Sequence, residues 1–424
     1  MGEAGLLIGE NMENTRRRGQ REVSPRRVLV GTICLQSAFI GLSINCMGVL
    51  LAAVQKDMGY SASQLALYYT VRGLTAAVCV APVFALFRRR GKRDMIGAMG
   101  LLCGLSLAAM GTFTKLWMFY IAAVLTGVGS CISTILVPYI IGAWFPQRRG
   151  LALGIALSAS GVAGALYNPV CGWIVERFGW RIAANVLGIT VCLLTVIPCI
   201  FLVRLPELSD SGEKQRKRSS FRIGENLPVF CWILIIGLVT SGCTTLANQL
   251  PLISASYGYA TMVGATMTSI AMIGNVGGKI LMGAAMDRLG VHRTGKFLLA
   301  IVGAGLLLQC AGSENIVYLY AGTAMYGLNY AAATVLLSQL CIVGFGEKLF
   351  SEPMSRITSI DQIATAAISP IVAGSYDMLG TFVPAMAVCA LSCFICIPIL
   401  WILQRRNWQT AREQEPVAAR SDCE

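Results

Sequence analysis

Charged residues and histidine are scarce in this chain. Only 13% of its 424 residues are charged and one residue is histidine, whereas 55% are hydrophobic. A soluble domain has roughly 25% charged residues, so this composition excludes an ordinary water-soluble protein. The chain therefore belongs in a bilayer, where its 45 glycines allow helices to pack closely.

The motifs that carry enzyme chemistry are also missing. We find no metal-ligand cluster, nucleophile elbow or phosphate-cradling loop, and therefore expect neither an enzyme nor a cofactor or metal. The 16 cysteines lie mostly singly inside apolar runs, where a free cysteine behaves as a small hydrophobic residue. The first 27 residues lack the order of regions of a signal peptide, so we expect a tail.

Twelve apolar segments are long enough to cross a bilayer, which takes about 20 residues. We predict an all-α membrane protein of two six-helix halves, 28–203 and 228–403, with a linker at 204–227 and tails at 1–27 and 404–424. The predicted helices cover 28–53, 63–87, 95–114, 116–144, 150–174, 182–203, 228–253, 260–286, 296–312, 316–344, 354–376 and 381–403.

The basic residues are distributed unevenly over the predicted loops. An amino terminus in the cytoplasm places 28 of the 34 Lys and Arg on the cytoplasmic side, the side that they favour. We therefore predict an integral protein of the bacterial inner membrane with both termini cytoplasmic. Because the basic residues are scattered over separate loops without interleaved aromatics, we expect no nucleic-acid partner. The four basic residues outside are Lys56, Lys115, Arg177 and Arg181.

One motif recurs at the ends of four predicted helices spaced three apart. The eighth helix ends GAAMDRLG. In this motif an acid stands four positions after a small residue, and a glycine stands three positions after the acid. The terminal glycines of helices 2 and 8 are 199 residues apart and those of helices 5 and 11 are 201 apart, as inverted three-helix repeats in two similar halves require. The other copies are Gly172, Glu176 and Gly179; Ala373, Asp377 and Gly380; and Phe84, Arg88 and Gly91, in which the acid is replaced.

The chemistry of this motif indicates a structural or gating role. A small residue lets the helix end pack against a neighbour, and the acid can cap a facing helix amino terminus or pair with a loop arginine. We assign this role to Gly283, Asp287, Arg288, Gly290, Glu176, Arg177 and Asp377.

Residues 28–403 resemble the major facilitator superfamily. The stretch GAAMDRLGVHR matches the family's loop between helices 8 and 9, whereas the copy after helix 2 is altered to FALFRRRGKR. Residues 143–180 are similar to the helix 4 to 5 region of the oxalate/formate antiporter and monocarboxylate porter branch. The resemblance implies a secondary transporter that works by alternating access between two halves.

After the tails, loops and helix ends are set aside, three ionisable side chains remain well inside apolar runs: Arg72, Lys279 and Asp361. Each costs roughly 2.5 to 3.5 kcal/mol on insertion scales, so such groups normally face a cavity or a partner. Polar residues accompany them at helical spacing, and these stripes either line one aqueous pathway or join helices. A purely structural ion pair between Lys279 and Asp361 is a further alternative. The accompanying polar residues are Gln64, Tyr68, Asn275, Thr358, Thr365 and Ser369, with Thr244, Asn248, Tyr326 and Tyr330 on helices 7 and 10.

The resemblance also suggests what the charges bind. A cation on helix 8 commonly binds the substrate carboxylate in this branch, and Lys279 occupies that position. Where oxalate carriers have a second cation on helix 11, this chain has Asp361-Gln362, so the three charges sum to +1 and favour a monoanion. Asp361 is also the obvious proton carrier if transport is proton-coupled. The predicted substrate-binding residues are Lys279, Arg72, Asn275, Asp361, Gln362, Asn248 and Tyr330.

The sequence thus predicts a monomeric antiporter or other secondary transporter of a small organic anion, a monocarboxylate, with the lipid bilayer as its other partner. A proton-coupled exporter of drug-like or amphipathic compounds is the alternative in the same fold. A nutrient sensor without transport activity is a third possibility, but the tails are short for signalling.

Overall fold

The computed structural model describes residues 25–89, 92–145, 149–201, 227–346 and 351–414. These residues form helices joined by short connections, which confirms the predicted all-α class. We number the helices by the predicted spans. They are α1 (Pro25–Met58), α2 (Ala62–Arg89), α3 (Lys92–Ala109), α4 (Leu116–Cys131 and Ser133–Trp144), α5 (Arg149–Phe178), α6 (Trp180–Phe201), α7 (Leu227–Ser256), α8 (Thr261–Leu289), α9 (Val291–Cys310), α10 (Ile316–Phe345), α11 (Ser351–Leu379) and α12 (Val383–Gln414).

Ten of these helices are long and apolar enough to cross a membrane. The other two predicted spans correspond to α2 and α4, which are also helical, although the first part of α4 has only 16 residues. Most of the predicted linker and tails, at 1–24, 202–226 and 415–424, lies outside the described residues.

The first helix of each successive set of three is interrupted. Helix α1 contains a π-helical stretch at Ser37–Leu42, and α10 contains another at Ala332–Leu336. Helix α4 is divided at Ile132, and α7 contains a 3₁₀ turn at Leu246–Gln249. Such interruptions are frequent at functional sites of helical proteins, and their recurrence in α1, α4, α7 and α10 agrees with the repeat that the motif predicts.

Two glycines shorten the predicted loops. The expected loop before helix 9 is wrong, because α9 begins at Val291 directly after Gly290, which has a φ of 84°. Gly179 has a φ of 83° and connects α5 to α6 in the same way. Since glycine adopts this backbone conformation readily, one residue suffices for each turn. His292, the single histidine of the chain, therefore lies in the first turn of α9.

Each half has a buried hydrophobic core built mainly from its own six helices. Small residues allow very close helix contacts inside a half. A Cβ atom added to Gly188 on α6 would collide with the backbone oxygen of Gly104 on α3. Between the halves, α5 packs against α8 and α2 packs against α11. These two seams determine where the halves are joined and where a cavity is left between them.

Candidate substrate cavity and the helix ends that close it

An acid at the end of α5 caps the start of α8. Glu176 Oε1 accepts a hydrogen bond of 2.7 Å from the backbone N–H of Met262. Four residues earlier, a Cβ atom added to Gly172 would lie 2.7 Å from Ala265 Cβ. The small residue thus permits close packing, and the carboxylate satisfies a free amide at the positive end of a helix. This is the capping role that the sequence motif suggests.

The corresponding acid of the other half makes the corresponding contact. Asp377, near the end of α11, accepts hydrogen bonds of 2.7 Å and 2.8 Å from the backbone N–H groups of Ala62 and Ser63 at the start of α2. Further along this seam, the Thr70 hydroxyl donates a 2.5 Å bond to the carbonyl of Ala366. The ends joined by Glu176 and Asp377 lie on one face of the molecule, which we call the capped face.

Helices α1 and α7 also meet toward the capped face. A Cβ atom on Gly48 would lie 2.7 Å from the backbone oxygen of Asn248. Asn248 borders a narrow space there, together with Gln55 and Tyr69. The predicted substrate contact Asn248 therefore lies at a closed helix contact in this conformation.

The third copy of the motif, at the end of α8, lies on the opposite face and is not engaged. A Cβ atom added to Gly283 would have no atom within 4 Å. Asp287 and Arg288 are exposed, and neither side chain has a hydrogen-bond or ion-pair partner among the described residues. Arg177, beside Glu176, is likewise exposed. Of the altered copy in α2, Gly91 and the side chains of Phe84 and Arg88 fall outside the described part of the chain.

Lys279 lines a cavity of about 1210 Å³ between α1, α5, α6, α8 and α10. The cavity lies toward the opposite face, since its walls include Gly154 near the start of α5 and Ser338 near the end of α10. Lys279 is ten residues before the end of α8, about 15 Å at 1.5 Å per residue. Within the described chain it is the one charged residue of the cavity wall, and no described carboxylate pairs with it.

Asp361 faces α7 and does not pair with Lys279. Its side chain is 9% exposed, and Oδ2 accepts a hydrogen bond of 2.5 Å from the Ser241 hydroxyl. The other carboxylate oxygen, Oδ1, is buried and has no described partner. The ion pair considered from the sequence is therefore not formed between these two described residues.

Arg72 lies inside the N-terminal half. Its Nη2 donates a hydrogen bond of 2.7 Å to the Ser130 hydroxyl on α4, and its Nε is buried without a described partner. Neither Arg72 nor Asp361 is among the described residues that line the Lys279 cavity. The structure thus does not bring the three membrane charges into one site.

The other predicted contacts lie in different surroundings. Asn275 is 7% exposed and faces α5, where a Cβ on Gly161 would lie 3.5 Å from its Nδ2; its Oδ1 has no described partner. Gln362 is exposed, next to an exposed isoleucine. Tyr330 is partly buried against the core of the C-terminal half.

Several polar residues of α7 and α10 join these two helices. The Tyr326 hydroxyl donates to the carbonyl of Cys243 at 2.8 Å, and Asn329 Nδ2 donates to the carbonyl of Thr240 at 2.8 Å and to the Thr244 hydroxyl at 3.0 Å. Tyr326 and Thr244 therefore connect helices, as the alternative interpretation of the stripes holds. Sequence reasoning missed Asn329, as well as Ser130 and Ser241, because a single small polar residue in an apolar run carries no signal of its partner.

A family model described as the Major Facilitator Superfamily matches residues 33–350. The chain belongs to the major facilitator superfamily. This confirms the resemblance inferred from the motif at the end of α8. The monocarboxylate transporter 12 of Xenopus laevis is 24% identical over 360 residues, which cover 77% of this chain and 77% of that relative.

Two solved transporter structures have the same fold. The nucleoside transporter NupG superposes with a TM-score of 0.70 at 10% identity, covering 90% of this chain and 100% of that one. A bacterial homologue of the human lysosomal transporter Spinster, inward-facing and unoccupied, gives a TM-score of 0.65 at 14% identity and covers 91% and 96%. At these identities the likeness concerns the fold alone.

Proposed function

We propose that this major facilitator protein is a secondary transporter that moves a small organic anion, a monocarboxylate, by alternating access. The observation that carries the proposal is Lys279, a cation on the wall of a large cavity without a described carboxylate partner. A lysine in the hydrocarbon region costs roughly 2.5 to 3.5 kcal/mol on insertion scales. An anionic cargo offsets part of that cost and leaves again when the cavity opens to water.

The charge of the cavity favours a monoanion. Arg72 and Asp361 contribute to other contacts, so Lys279 supplies a single positive charge to the described wall. One ammonium matches one carboxylate, whereas a dianion such as oxalate would remain half neutralised. The similarity to a relative named monocarboxylate transporter supports the same substrate class.

The contacts of the helix ends support alternating access. The capped face is closed by Glu176 and Asp377, and we assign it to the outside, with the Lys279 cavity open toward the cytoplasm. In the other state both caps would open, and Asp287 would approach the start of α5 as Glu176 now approaches α8. The tails and the linker 204–227 are then cytoplasmic, in a monomer in the bacterial inner membrane.

Asp361 is our candidate for proton coupling. Its buried Oδ1 has no described partner, so this oxygen can bind a proton without breaking the bond between Oδ2 and Ser241. Protonation would remove a negative charge from the C-terminal half and so favour one conformation over the other. An exchanger of one anion for another would not need this step.

The second candidate function is a proton-coupled exporter of drug-like or amphipathic compounds. It is supported by the cavity wall, which is mostly aliphatic. Neutral or cationic compounds would be poor cargo beside Lys279, so the charge of the transported compound separates the two candidates. Short carboxylates should compete for an anion carrier and fail to compete for such an exporter.

Uptake into proteoliposomes tests the proposed function. A panel of labelled monocarboxylates should include substrates that enter parent vesicles faster than empty vesicles, and Lys279→Gln should abolish the difference. Lys296→Gln is the matched control, because Lys296 donates to Gln404 on α12 and lies outside the cavity. If Lys279→Gln takes up the labelled monocarboxylates as fast as the parent does, the proposal is contradicted.

A further inference from the structure

Helix α5 supplies much of the wall of the Lys279 cavity. Ile155, Val162, Leu166 and Val170 follow each other at seven, four and four residues, and so share a side of the helix. We call these four residues the α5 stripe. All four line the cavity, yet they are between 44% and 70% exposed, so protein atoms leave them largely uncovered.

The hydroxyl groups of the wall do not make it polar. Ser37 donates to the carbonyl of Ala159, and Thr334 and Ser338 donate to carbonyls of their own helix. These donors are already satisfied by the backbone, as is common for hydroxyl side chains in membrane helices. The wall also includes Ser158, Tyr167 and Thr190; the Thr190 hydroxyl donates to the carbonyl of Val186 and lies 3.4 Å from the Tyr167 hydroxyl. The cavity therefore offers a ligand one ammonium group, a few hydroxyl groups and a long aliphatic surface.

The cavity is not confined to the space between the two halves. Leu194, on α6, lines it and is only partly buried, and α6 packs on helices of the N-terminal half. On the other side, Ile280 of α8 is 65% exposed. The space beside Lys279 therefore continues to the membrane-facing side of α5 and α6, where lipid chains lie.

The volume also exceeds the needs of a two- or three-carbon acid. Pockets for drug-sized ligands measure roughly 300 to 1,000 Å³, and this cavity measures about 1210 Å³. A short acid would neutralise Lys279 and leave the α5 stripe uncovered. Each methylene group that covers such a surface raises the affinity about fourfold.

We infer that the cargo is an amphipathic monocarboxylate whose carboxylate contacts Lys279 and whose apolar tail lies along the α5 stripe, reaching the cavity sideways from the bilayer. This inference rests on the proposed function and specifies its substrate class. Charge complementarity identifies the head group, and the uncovered aliphatic wall identifies the tail.

Binding of a homologous series tests the inference. Straight-chain carboxylates from propanoate to decanoate are titrated calorimetrically into the protein in lipid nanodiscs, and the heat with empty nanodiscs is subtracted. The dissociation constant should fall about threefold to fourfold for each added methylene group over the middle of the series. Leu166→Ser should weaken octanoate binding at least fivefold and leave propanoate binding unchanged.

Leu105→Ser is the matched control. Leu105 lies on α3, is 60% exposed and is not part of the cavity wall, so its variant should bind the whole series as the parent does. Equal weakening by Leu105→Ser and Leu166→Ser would show partition into the bilayer and overturn the inference.

The remaining outcomes distinguish this inference from the proposed function. If the affinity does not change with chain length but is lost in Lys279→Gln, the amphipathic cargo is overturned and the proposed anion carrier stands. If the affinity rises steeply with chain length in Lys279→Gln as it does in the parent, the amphipathic cargo and the anion carrier are both overturned, since the carboxylate would then play no part. Nanodisc phospholipid that occupies the cavity and is not displaced by octanoate would also overturn the inference.

Discussion

Glu176 and Met262, 86 residues apart in the chain, are joined by a hydrogen bond of 2.7 Å that ties the end of α5 to the start of α8. Asp377 makes the equivalent bonds between α11 and α2. Each carboxylate occupies the place of a helix cap, although it comes from a different helix in the other half. The two seams that close the capped face thus depend on acids that can be removed singly.

Removing one cap should loosen one seam. We expect Glu176→Ala to raise the deuterium uptake of residues 260–266, because their free amides lose an acceptor. A cap contributes about 0.5 to 2 kcal/mol, which corresponds to an increase of up to roughly thirtyfold in local opening. Hydrogen exchange measured by mass spectrometry checks this. Glu314→Ala, on the same face, is the control. If it raised the deuterium uptake of residues 260–266 as much as Glu176→Ala does, the assignment would be contradicted.

Replacement by valine should have opposite effects at two glycines of the repeated motif. Gly172→Val would place atoms against Ala265 in the present conformation, whereas Gly283→Val meets open space. Overpacking costs about 1 to 3 kcal/mol, so Gly172→Val should destabilise the closed capped face and raise exchange at residues 260–266. Gly283→Val should leave exchange there unchanged but slow transport at least tenfold, because the other conformation needs that space. Normal transport by Gly283→Val would contradict alternation at α8.

Replacing Asp361 should separate proton coupling from substrate exchange. We expect Asp361→Asn to abolish accumulation driven by a pH gradient, because the amide has no titrating carboxylate, while exchange of labelled for unlabelled substrate continues. Both are measured in proteoliposomes with and without the gradient. Asp94→Asn, an exposed residue at the start of α3, is the control. Gradient-driven accumulation that survives in Asp361→Asn would remove this residue from coupling.

Tyr326 should matter for stability and not for substrate. Tyr326→Phe deletes the bond to the Cys243 carbonyl inside the C-terminal half, and such bonds in membrane proteins contribute about 0.6 kcal/mol. We expect a lower melting temperature with an unchanged apparent affinity for substrate. Tyr318→Phe, exposed on the same helix, should change neither. A large loss of affinity in Tyr326→Phe would place this hydroxyl at the substrate.

Long apolar runs and one repeated motif were enough to predict the helices and the family. The capping role of Glu176 and Asp377 was also among the predicted possibilities, because an acid followed by a glycine at a helix end has few uses. The start of α9 was missed, since the sequence does not show that Gly290 alone would make the turn.

The candidate site was less predictable than the fold. A polar stripe shows which residues lie on the same face of one helix, but not how that helix is rotated against its neighbours. The sequence therefore predicts that Arg72 and Asp361 share a site with Lys279, whereas each forms a hydrogen bond with a serine within its own half. The aliphatic wall of α5 gave no signal either, because apolar residues of a membrane helix look alike whether they face lipid or a cavity.

The pairing of Lys279 with a cargo carboxylate is tested most directly by a binding cycle. The dissociation constants of a monocarboxylate and of its uncharged amide are measured by calorimetry for the parent and for Lys279→Gln. We predict that the parent binds the carboxylate at least tenfold more tightly than the amide and that this preference vanishes in Lys279→Gln. An equal preference in both proteins would contradict the account.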